Sequence, residues 1–150
     1  MKKVSKEVER GLFKVFSKVP LLRHFKLKLE AVRPGSSRIT IRFAPHLAQV
    51  HGFMHGGALA TIADTAATYA ANTLLYPERE TITVELKINY VAPVKTKMAV
   101  AEAAVLHSGS KTSIVEVKVF DSAKKLCAVA LITNLILARG TFKIPPRSPK

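Results

Sequence analysis

A pair of glycines and an aspartate are the residues of this sequence whose types and spacing could do chemistry. Gly56 and Gly57 follow His55, and Asp64 comes eight residues after Gly56. The stretch from Gly56 to about Leu75 is rich in alanine and has no proline and no glycine after Gly57, which predicts a helix. A carboxylate buried in such a helix must be paired or hydrogen-bonded. Asp64 is therefore either a structural aspartate bonded to the core or a functional one.

The start of the predicted helix is suited to binding an oxygen that gains negative charge. The first N–H groups of a helix have no partner within it, the helix dipole favours negative charge there, and glycine permits close approach to the backbone. An acyl carbonyl bound at Gly56 would be polarised as its oxygen becomes an oxyanion.

The separation of Gly56 and Asp64 limits how the two can act together. Eight residues span about 12 Å along a helix, so Asp64 cannot reach a carbonyl that is bound at Gly56 of the same chain. A second copy would have to bring its own aspartate. The spacing therefore predicts a site at a dimer interface, with Gly56 from one chain and Asp64 from the other.

The N-terminal segment has apolar residues at helical spacing, namely Val4, Val8, Leu12, Val15 and Val19. They predict an amphipathic helix over residues 4–18, within an N-terminal segment 1–20, that stops before Pro20. The apolar stripe is modest, which favours packing on the domain or on a partner subunit over binding to a membrane surface.

Alternation of apolar and polar residues predicts six strands. A hairpin alternates from Phe25 to Phe43 and turns at Pro34-Gly35-Ser36, and four strands follow the long helix over residues 81–91, 98–107, 112–120 and 126–138. In the first of these four, one face is expected to carry Ile82, Val84, Leu86, Ile88 and Tyr90. The short links between the final strands predict an antiparallel meander. The last strand is apolar almost throughout, so both its faces should be covered, for example by a neighbouring subunit.

This order of elements predicts an α+β fold in one domain over residues 1–150. The chain has 150 residues, of which 48% are apolar and 23% charged, a balance typical of a globular domain. The segment 140–150 contains three prolines and is expected to be a flexible tail. A single cysteine, Cys127, excludes an intramolecular disulfide and is expected to be a buried, inert thiol.

Several classes of site lack their signatures in this sequence. It has no Gly-x-Ser-x-Gly elbow, no His-Glu-x-x-His and no cysteine–histidine spacing for a metal, so we expect no metal and no resident cofactor. No stretch is long and apolar enough to predict a membrane span, and the N-terminus lacks the apolar core of a secretory signal. We therefore expect a cytoplasmic protein without a membrane partner.

The net charge of +14 favours polyanionic partners. The basic residues are scattered along the chain and no nucleic-acid-binding motif accompanies them, so we do not expect a nucleic-acid partner. Anionic lipid and phosphorylated cofactors are the other polyanions that this charge favours, and charge alone does not choose among these classes.

Two segments of the sequence resemble the hotdog-fold acyl-CoA thioesterases of the phenylacetate-pathway (PaaI-type) branch. The first runs from His55-Gly56-Gly57-Ala58-Leu59 to Ile62-Ala63-Asp64-Thr65-Ala66, and the second is Val84-Glu85-Leu86-Lys87-Ile88-Asn89-Tyr90-Val91-Ala92-Pro93. The order of elements agrees with that fold from about Leu22 to Ala138: a long helix is wrapped by a curved antiparallel sheet.

The resemblance implies hydrolysis of acyl-CoA thioesters by a homodimer that forms the active site, and usually by a homotetramer. Coenzyme A is then part of the substrate. The resemblance assigns carbonyl polarisation to the Gly56 N–H, and the role of general base or nucleophile to Asp64. His55 either shapes the site or only begins the helix.

The same resemblance gives candidate roles to residues outside the helix. Gln49, six residues before His55, stands where an asparagine often helps to hold the carbonyl or the water. Thr83 stands near the position where some members of the family carry a water-orienting hydroxyl, although it could equally be an outward-facing strand threonine. The turn at Ser108–Thr112 corresponds to a coenzyme A contact, so Ser110, Lys111 and Thr112 join Gly57 as candidate substrate-binding residues.

Two other functions stay open at this point. A hotdog-fold acyl-CoA dehydratase needs a catalytic histidine with an acid, and His46, His51 and His55 all precede the long helix. A non-catalytic acyl-CoA-binding protein is the other alternative. Neither the motifs nor the composition identify the acyl group, which we expect to contact Phe53, Leu59 and Tyr69.

Overall fold

The computed structural model describes residues 3–95 and 97–141. It contains helices α1 (Lys6–Phe16), α2 (Pro20–His24) and α3 (Gly56–Asn72), and strands β1 (Lys28–Arg33), β2 (Ser36–Arg42), β3 (Arg79–Tyr90), β4 (Met98–Ser108), β5 (Thr112–Asp121) and β6 (Leu126–Ala138). The predicted α+β class, the long helix and the six strands are confirmed. Most of the predicted flexible tail lies outside the described residues.

The six strands form one antiparallel sheet in the order β1-β2-β4-β5-β6-β3. The meander prediction is right for β4, β5 and β6 and wrong for β3, which pairs with β6 at the edge of the sheet. The link from β3 to β4 has seven residues, longer than the two to five of a typical hairpin. It carries the chain past β6 and β5, so that β4 can pair with β2.

Helix α3 contacts all six strands. Six strands at about 4.8 Å spacing are roughly 24 Å wide, whereas a helix is about 10 Å across, so the sheet must curve around the helix. Small side chains permit this close packing, because Ala63, Ala66, Ala67, Ala70 and Ala71 are completely buried. The Ser37 hydroxyl of β2 also donates a hydrogen bond to the Ala66 carbonyl at 2.7 Å.

The N-terminal helix packs on this core through Leu12, as predicted, and through Phe16, whereas Val15 of the predicted apolar stripe is exposed. The chain then forms α2, a short helix that the sequence analysis did not predict. Its first residue is Pro20, whose missing N–H costs nothing at a helix start. Because Phe25 closes this helix, β1 begins at Lys28 and not at Phe25 as predicted.

Strand β3 contains a bulge that changes which residues face the helix. Its register with β6 shifts between Thr83 and Glu85, so Val84 is an extra residue without a direct partner. Before the bulge, Ile82 pairs with Leu135, and after it Leu86 pairs with Ile132. Ile82 and Leu86 therefore lie on opposite faces, and the prediction that they share one face is wrong.

None of the helices in residues 3–95 and 97–141 is long and apolar enough to span a membrane.

Candidate functional site

The start of α3 presents one backbone N–H that is free to bind a ligand. The imidazole of His55 caps the helix, because its Nδ1 accepts a hydrogen bond from the Gly57 N–H at 2.8 Å. The N–H groups of Ala58 and Leu59 bond to the His55 carbonyl. In the described part of the chain, the Gly56 N–H has no acceptor. Of the two glycines, Gly56 is thus the one that can polarise a carbonyl.

Tyr90 packs closely against Gly56. Its hydroxyl donates a hydrogen bond to the Gly56 carbonyl at 2.9 Å. A Cβ added to Gly56 would lie 3.1 Å from Tyr90 Cζ, so a larger residue there would displace the ring by a few tenths of an ångström. Burial raises the pKa of the Tyr90 hydroxyl, so it stays a donor at neutral pH. The sequence analysis assigned Tyr90 no role, although it lies within the strand motif on which the resemblance rests.

A cavity of about 480 Å³ opens beside the Gly56 N–H. It is lined by Gln49, Phe53, Met54, His55, Gly56, Leu59, Tyr90, Val91, Ala92 and Pro93. The lining is mostly apolar, with a few polar groups at one end, which is the usual composition of a small-molecule site. Phe53 and Leu59 line it as predicted. Tyr69 does not, because its ring packs edge-on against Phe16 at 5.2 Å.

Gln49 contributes to this cavity from the loop before the helix. Its Oε1 accepts the His51 N–H at 3.1 Å, and its backbone pairs with Phe53 and Gly52. These bonds hold the loop and fix one end of the side-chain amide. The Nε2 group remains as a donor, and the role of Gln49 in holding a carbonyl or a water stays a prediction.

Asp64 lies two turns along α3 and is held by Thr83. The Thr83 hydroxyl donates a hydrogen bond to Asp64 Oδ1 at 2.6 Å. Thr83 can reach the helix because the bulge at Val84 turns it to the inner face of the sheet. The reading of Thr83 as an outward-facing strand residue is therefore wrong. Asp64 is neither fully buried nor fully exposed.

The predicted coenzyme A turn lies at the same end of the sheet as Asp64. A row of paired residues crosses four strands from Thr83 to Asn134, Ser113 and Ser108. The turn at residues 109–111 directly follows Ser108, so the register brings it to the Asp64 end. Lys111 is exposed, and its carbonyl accepts the Ile136 N–H at 2.7 Å.

Within one chain, the predicted site residues thus fall into two groups. The first group surrounds the helix start and consists of Gln49, His55, Gly56 and Gly57. The second lies toward the Asp64 end and consists of Asp64, Thr83, Ser110, Lys111 and Thr112. Along the helix, Gly56 and Asp64 are about two turns apart, roughly 12 Å.

Other reactive groups do not add to either group. Among residues 3–95 and 97–141, no three histidine, cysteine, aspartate or glutamate side chains are placed to hold a metal. Cys127 is fully buried, and burial raises the pKa of its thiol, so it is a poor nucleophile.

The comparison with known families agrees with this arrangement. A family model described as the thioesterase superfamily matches residues 51–128, which include the helix start, Asp64, Thr83 and Tyr90. The chain belongs to the thioesterase superfamily. The hotdog-fold resemblance stated from the motifs is thereby confirmed at the level of the family.

Individual members of the superfamily are similar over most of the chain. The protein SSO1253 of Saccharolobus solfataricus is 33% identical over 110 residues, which are 73% of each chain. The 1,4-dihydroxy-2-naphthoyl-CoA hydrolase of Escherichia coli is 27% identical over 109 residues, covering 73% of this chain and 74% of the hydrolase. The solved structure of Escherichia coli PaaI superimposes with a TM-score of 0.83, covers 91% of this chain and 97% of PaaI, and is 18% identical, so it supports the fold.

The helix cap generates a prediction that separates the two roles considered for His55. His55→Ala removes the acceptor of the Gly57 N–H and should lower the free energy of unfolding by about 1 kcal/mol, whereas His55→Asn keeps an acceptor and should restore most of it. Urea unfolding measures both, with the exposed His51→Ala as control. An Ala variant as stable as the wild type would contradict the capping role. Activity restored together with stability in His55→Asn would show that capping is the whole role of His55.

Proposed function

We propose that this protein hydrolyses acyl-CoA thioesters to a free acid and coenzyme A. One observation carries the proposal: a chain of the thioesterase superfamily has a free Gly56 N–H opening on an apolar cavity, and a carboxylate, Asp64, oriented by Thr83. The first group stabilises the oxyanion of acyl transfer, and the second activates water or attacks the carbonyl itself.

The proposed reaction begins with the thioester carbonyl bound at Gly56 and the acyl group in the cavity. Charge that develops on the carbonyl oxygen is stabilised by the Gly56 N–H and by the positive end of the α3 dipole. The Gln49 amide supplies a second donor. Asp64 either takes a proton from the attacking water or forms an anhydride that water then hydrolyses, and coenzyme A leaves as the thiol.

Two copies of the chain are needed in this proposal, because Asp64 and Gly56 of one helix are about 12 Å apart. Strand β3 supports such an assembly. It is a twelve-residue edge strand with exposed apolar side chains, including Val84 and Tyr90 at 58% and 51% exposure. A long apolar edge invites pairing with a second copy. The opposite edge, β1, has only six residues and an irregular register.

A homotetramer is the further assembly that we propose. The outer face of β6 carries Leu131, which is 47% exposed, and the half-buried Leu135 and Leu137. Within one chain this face is not covered, so the expected cover by a neighbouring subunit stays a prediction. Packing of two dimers would cover it.

The substrate proposal draws on charge and on one relative. The net charge of +14 attracts the phosphates of coenzyme A, and Lys111 lies exposed on the turn near Asp64. The Escherichia coli relative is by name a hydrolase of an aromatic acyl-CoA. Phe53 and Tyr90 would give a similar aromatic group two rings to pack against in the cavity.

No specific observation favours the dehydratase alternative. His55 Nδ1 is engaged in the helix cap, and within the described ranges no histidine nitrogen forms an ion pair with a carboxylate.

Substitution of the carboxylate tests the reaction. Asp64→Asn keeps the size of the side chain but cannot act as base or nucleophile, so kcat should fall by about 10²- to 10⁴-fold. The measurement is release of free thiol from phenylacetyl-, benzoyl-, hexanoyl- and palmitoyl-CoA. Thioester hydrolysis that survives Asp64→Asn would overturn the role of Asp64. If the wild type binds these substrates and hydrolyses none, the binding-protein alternative is correct.

The shared site is tested by complementation between chains. Gly56→Pro, which removes the N–H at a first helical position that accepts proline, and Asp64→Asn should each be inactive alone. Co-expressed, half of the dimers are mixed and each mixed dimer has one intact site, so about a quarter of wild-type activity should return. No recovery in mixed dimers, verified by two affinity tags, would place both groups in one chain.

Lys111→Ala tests the coenzyme A contact. Loss of one exposed charge contact should raise KM by about two- to fivefold at low salt and leave kcat nearly unchanged. The matched control is Lys125→Ala, an exposed lysine beyond the opposite end of β5 that changes the net charge equally. Equal effects of the two variants would mean that only the overall field matters.

A further inference from the structure

The Thr83 hydroxyl lies between two oxygen acceptors. Its Oγ1 is 2.6 Å from Asp64 Oδ1 and 3.2 Å from Asn134 Oδ1. A threonine hydroxyl has one proton, so it can donate to only one of them. The shorter distance and the charge of the carboxylate assign the proton to Asp64. Two oxygen lone pairs would then face each other across the contact with Asn134, which is unfavourable.

Asn134 also leaves a donor unused in this orientation. The side chain is completely buried, and its Nδ2 has no hydrogen-bond partner within the described ranges. Its cross-strand neighbour Ser113 is equally buried, and the Ser113 hydroxyl has no partner there either. A buried polar group without a partner is destabilising, so an orientation that pairs the Asn134 amide nitrogen is preferred.

A half-turn of the Asn134 amide removes both conflicts. The nitrogen and oxygen of an amide have nearly the same shape, and their assignment follows from the hydrogen-bond network. With Nδ2 toward Thr83, the amide donates to the Thr83 oxygen, and Thr83 donates to Asp64. The amide oxygen then takes the place of Nδ2 and faces away from Thr83.

We propose that Asn134 is a positioning residue for the reaction: it holds the Thr83 hydroxyl in the orientation that donates to Asp64. The inference rests on the proposed function, because it gives Asp64 a role in turnover. The resulting series runs from Asn134 through Thr83 to Asp64. Each donor in it strengthens the next, since hydrogen bonds in series polarise one another.

The position of Asn134 in the fold supports a specific role. It is the one fully buried polar side chain in β6, among apolar neighbours on the inner face such as Ile132 and Ile136. Packing alone would be satisfied by leucine there. The bulge in β3 is what turns Thr83 toward the same inner face, so the sheet brings both residues beneath Asp64.

Steady-state kinetics test the inference. Asn134→Leu, similar in size but without polar atoms, should lower kcat by about tenfold, the size of one network contact, with KM unchanged. In a Thr83→Val background, Asn134→Leu should cause no further loss of kcat, because Asn134 acts only through the Thr83 hydroxyl. Thr83→Ser keeps the hydroxyl and should retain most of the activity. An Asn134→Leu enzyme with wild-type kcat, or full additivity with Thr83→Val, would overturn the inference.

A control distinguishes positioning from stability. Ser37→Ala removes another buried hydroxyl contact to α3, the one to the Ala66 carbonyl. It should lower the melting temperature and leave kcat unchanged. Equal loss of kcat in both variants would make the effect of Asn134 a general consequence of a loosened core and would overturn the inference.

NMR separates failure of this inference from failure of the proposed function. The side-chain NH₂ resonances of Asn134 should shift in Thr83→Val and remain near their wild-type positions in Ser37→Ala. Unchanged resonances in Thr83→Val overturn the contact whether or not the protein is an enzyme. If the wild type hydrolyses no thioester, the proposed function fails and so does the catalytic part of this inference. Hydrolysis that is lost in Asp64→Asn but unaffected by Asn134→Leu overturns this inference alone.

Discussion

Helix α3 can contact every strand of the sheet because alanine occupies most of its buried positions. Larger residues there would hold the sheet away from the helix, and the sheet could not curve closely around it. This close packing has a cost for polar groups, since anything on the inner face is removed from water. The hydroxyls of Ser37 and Thr83 satisfy this constraint by bonding to the helix itself, one to a carbonyl and the other to Asp64.

The same packing determines what the two ends of the candidate site can do. At the helix start, capping by His55 uses the Gly57 N–H and leaves that of Gly56 available, while the Tyr90 hydroxyl bonds to the Gly56 carbonyl. Two turns later, Asp64 is accessible enough to react and is restrained by Thr83. Because the helix is rigid, the two groups keep their separation. A rigid separation of this kind suits a site that two subunits share.

The bulge at Val84 connects the sheet to the chemistry. It reverses the alternation of β3, so that Thr83 faces the helix while Leu86 and Tyr90 also face inward beyond it. A regular strand could not place both Thr83 and Tyr90 on the inner face, because side chains alternate with a period of two. One extra residue therefore lets a single strand serve both Asp64 and Gly56.

Much of the secondary structure of this protein could be predicted from its sequence alone. The alanine-rich helix, the six strands, the amphipathic N-terminal helix and the separation of Gly56 from Asp64 all follow from local composition and periodicity, which act over a few residues. Only the tertiary structure decided that β3 pairs with β6, that Thr83 faces inward, and that Tyr90 and Asn134 approach Gly56 and Thr83. These features depend on contacts between residues far apart in the chain, and a one-residue bulge, which local periodicity does not record, changes the face of every side chain before it.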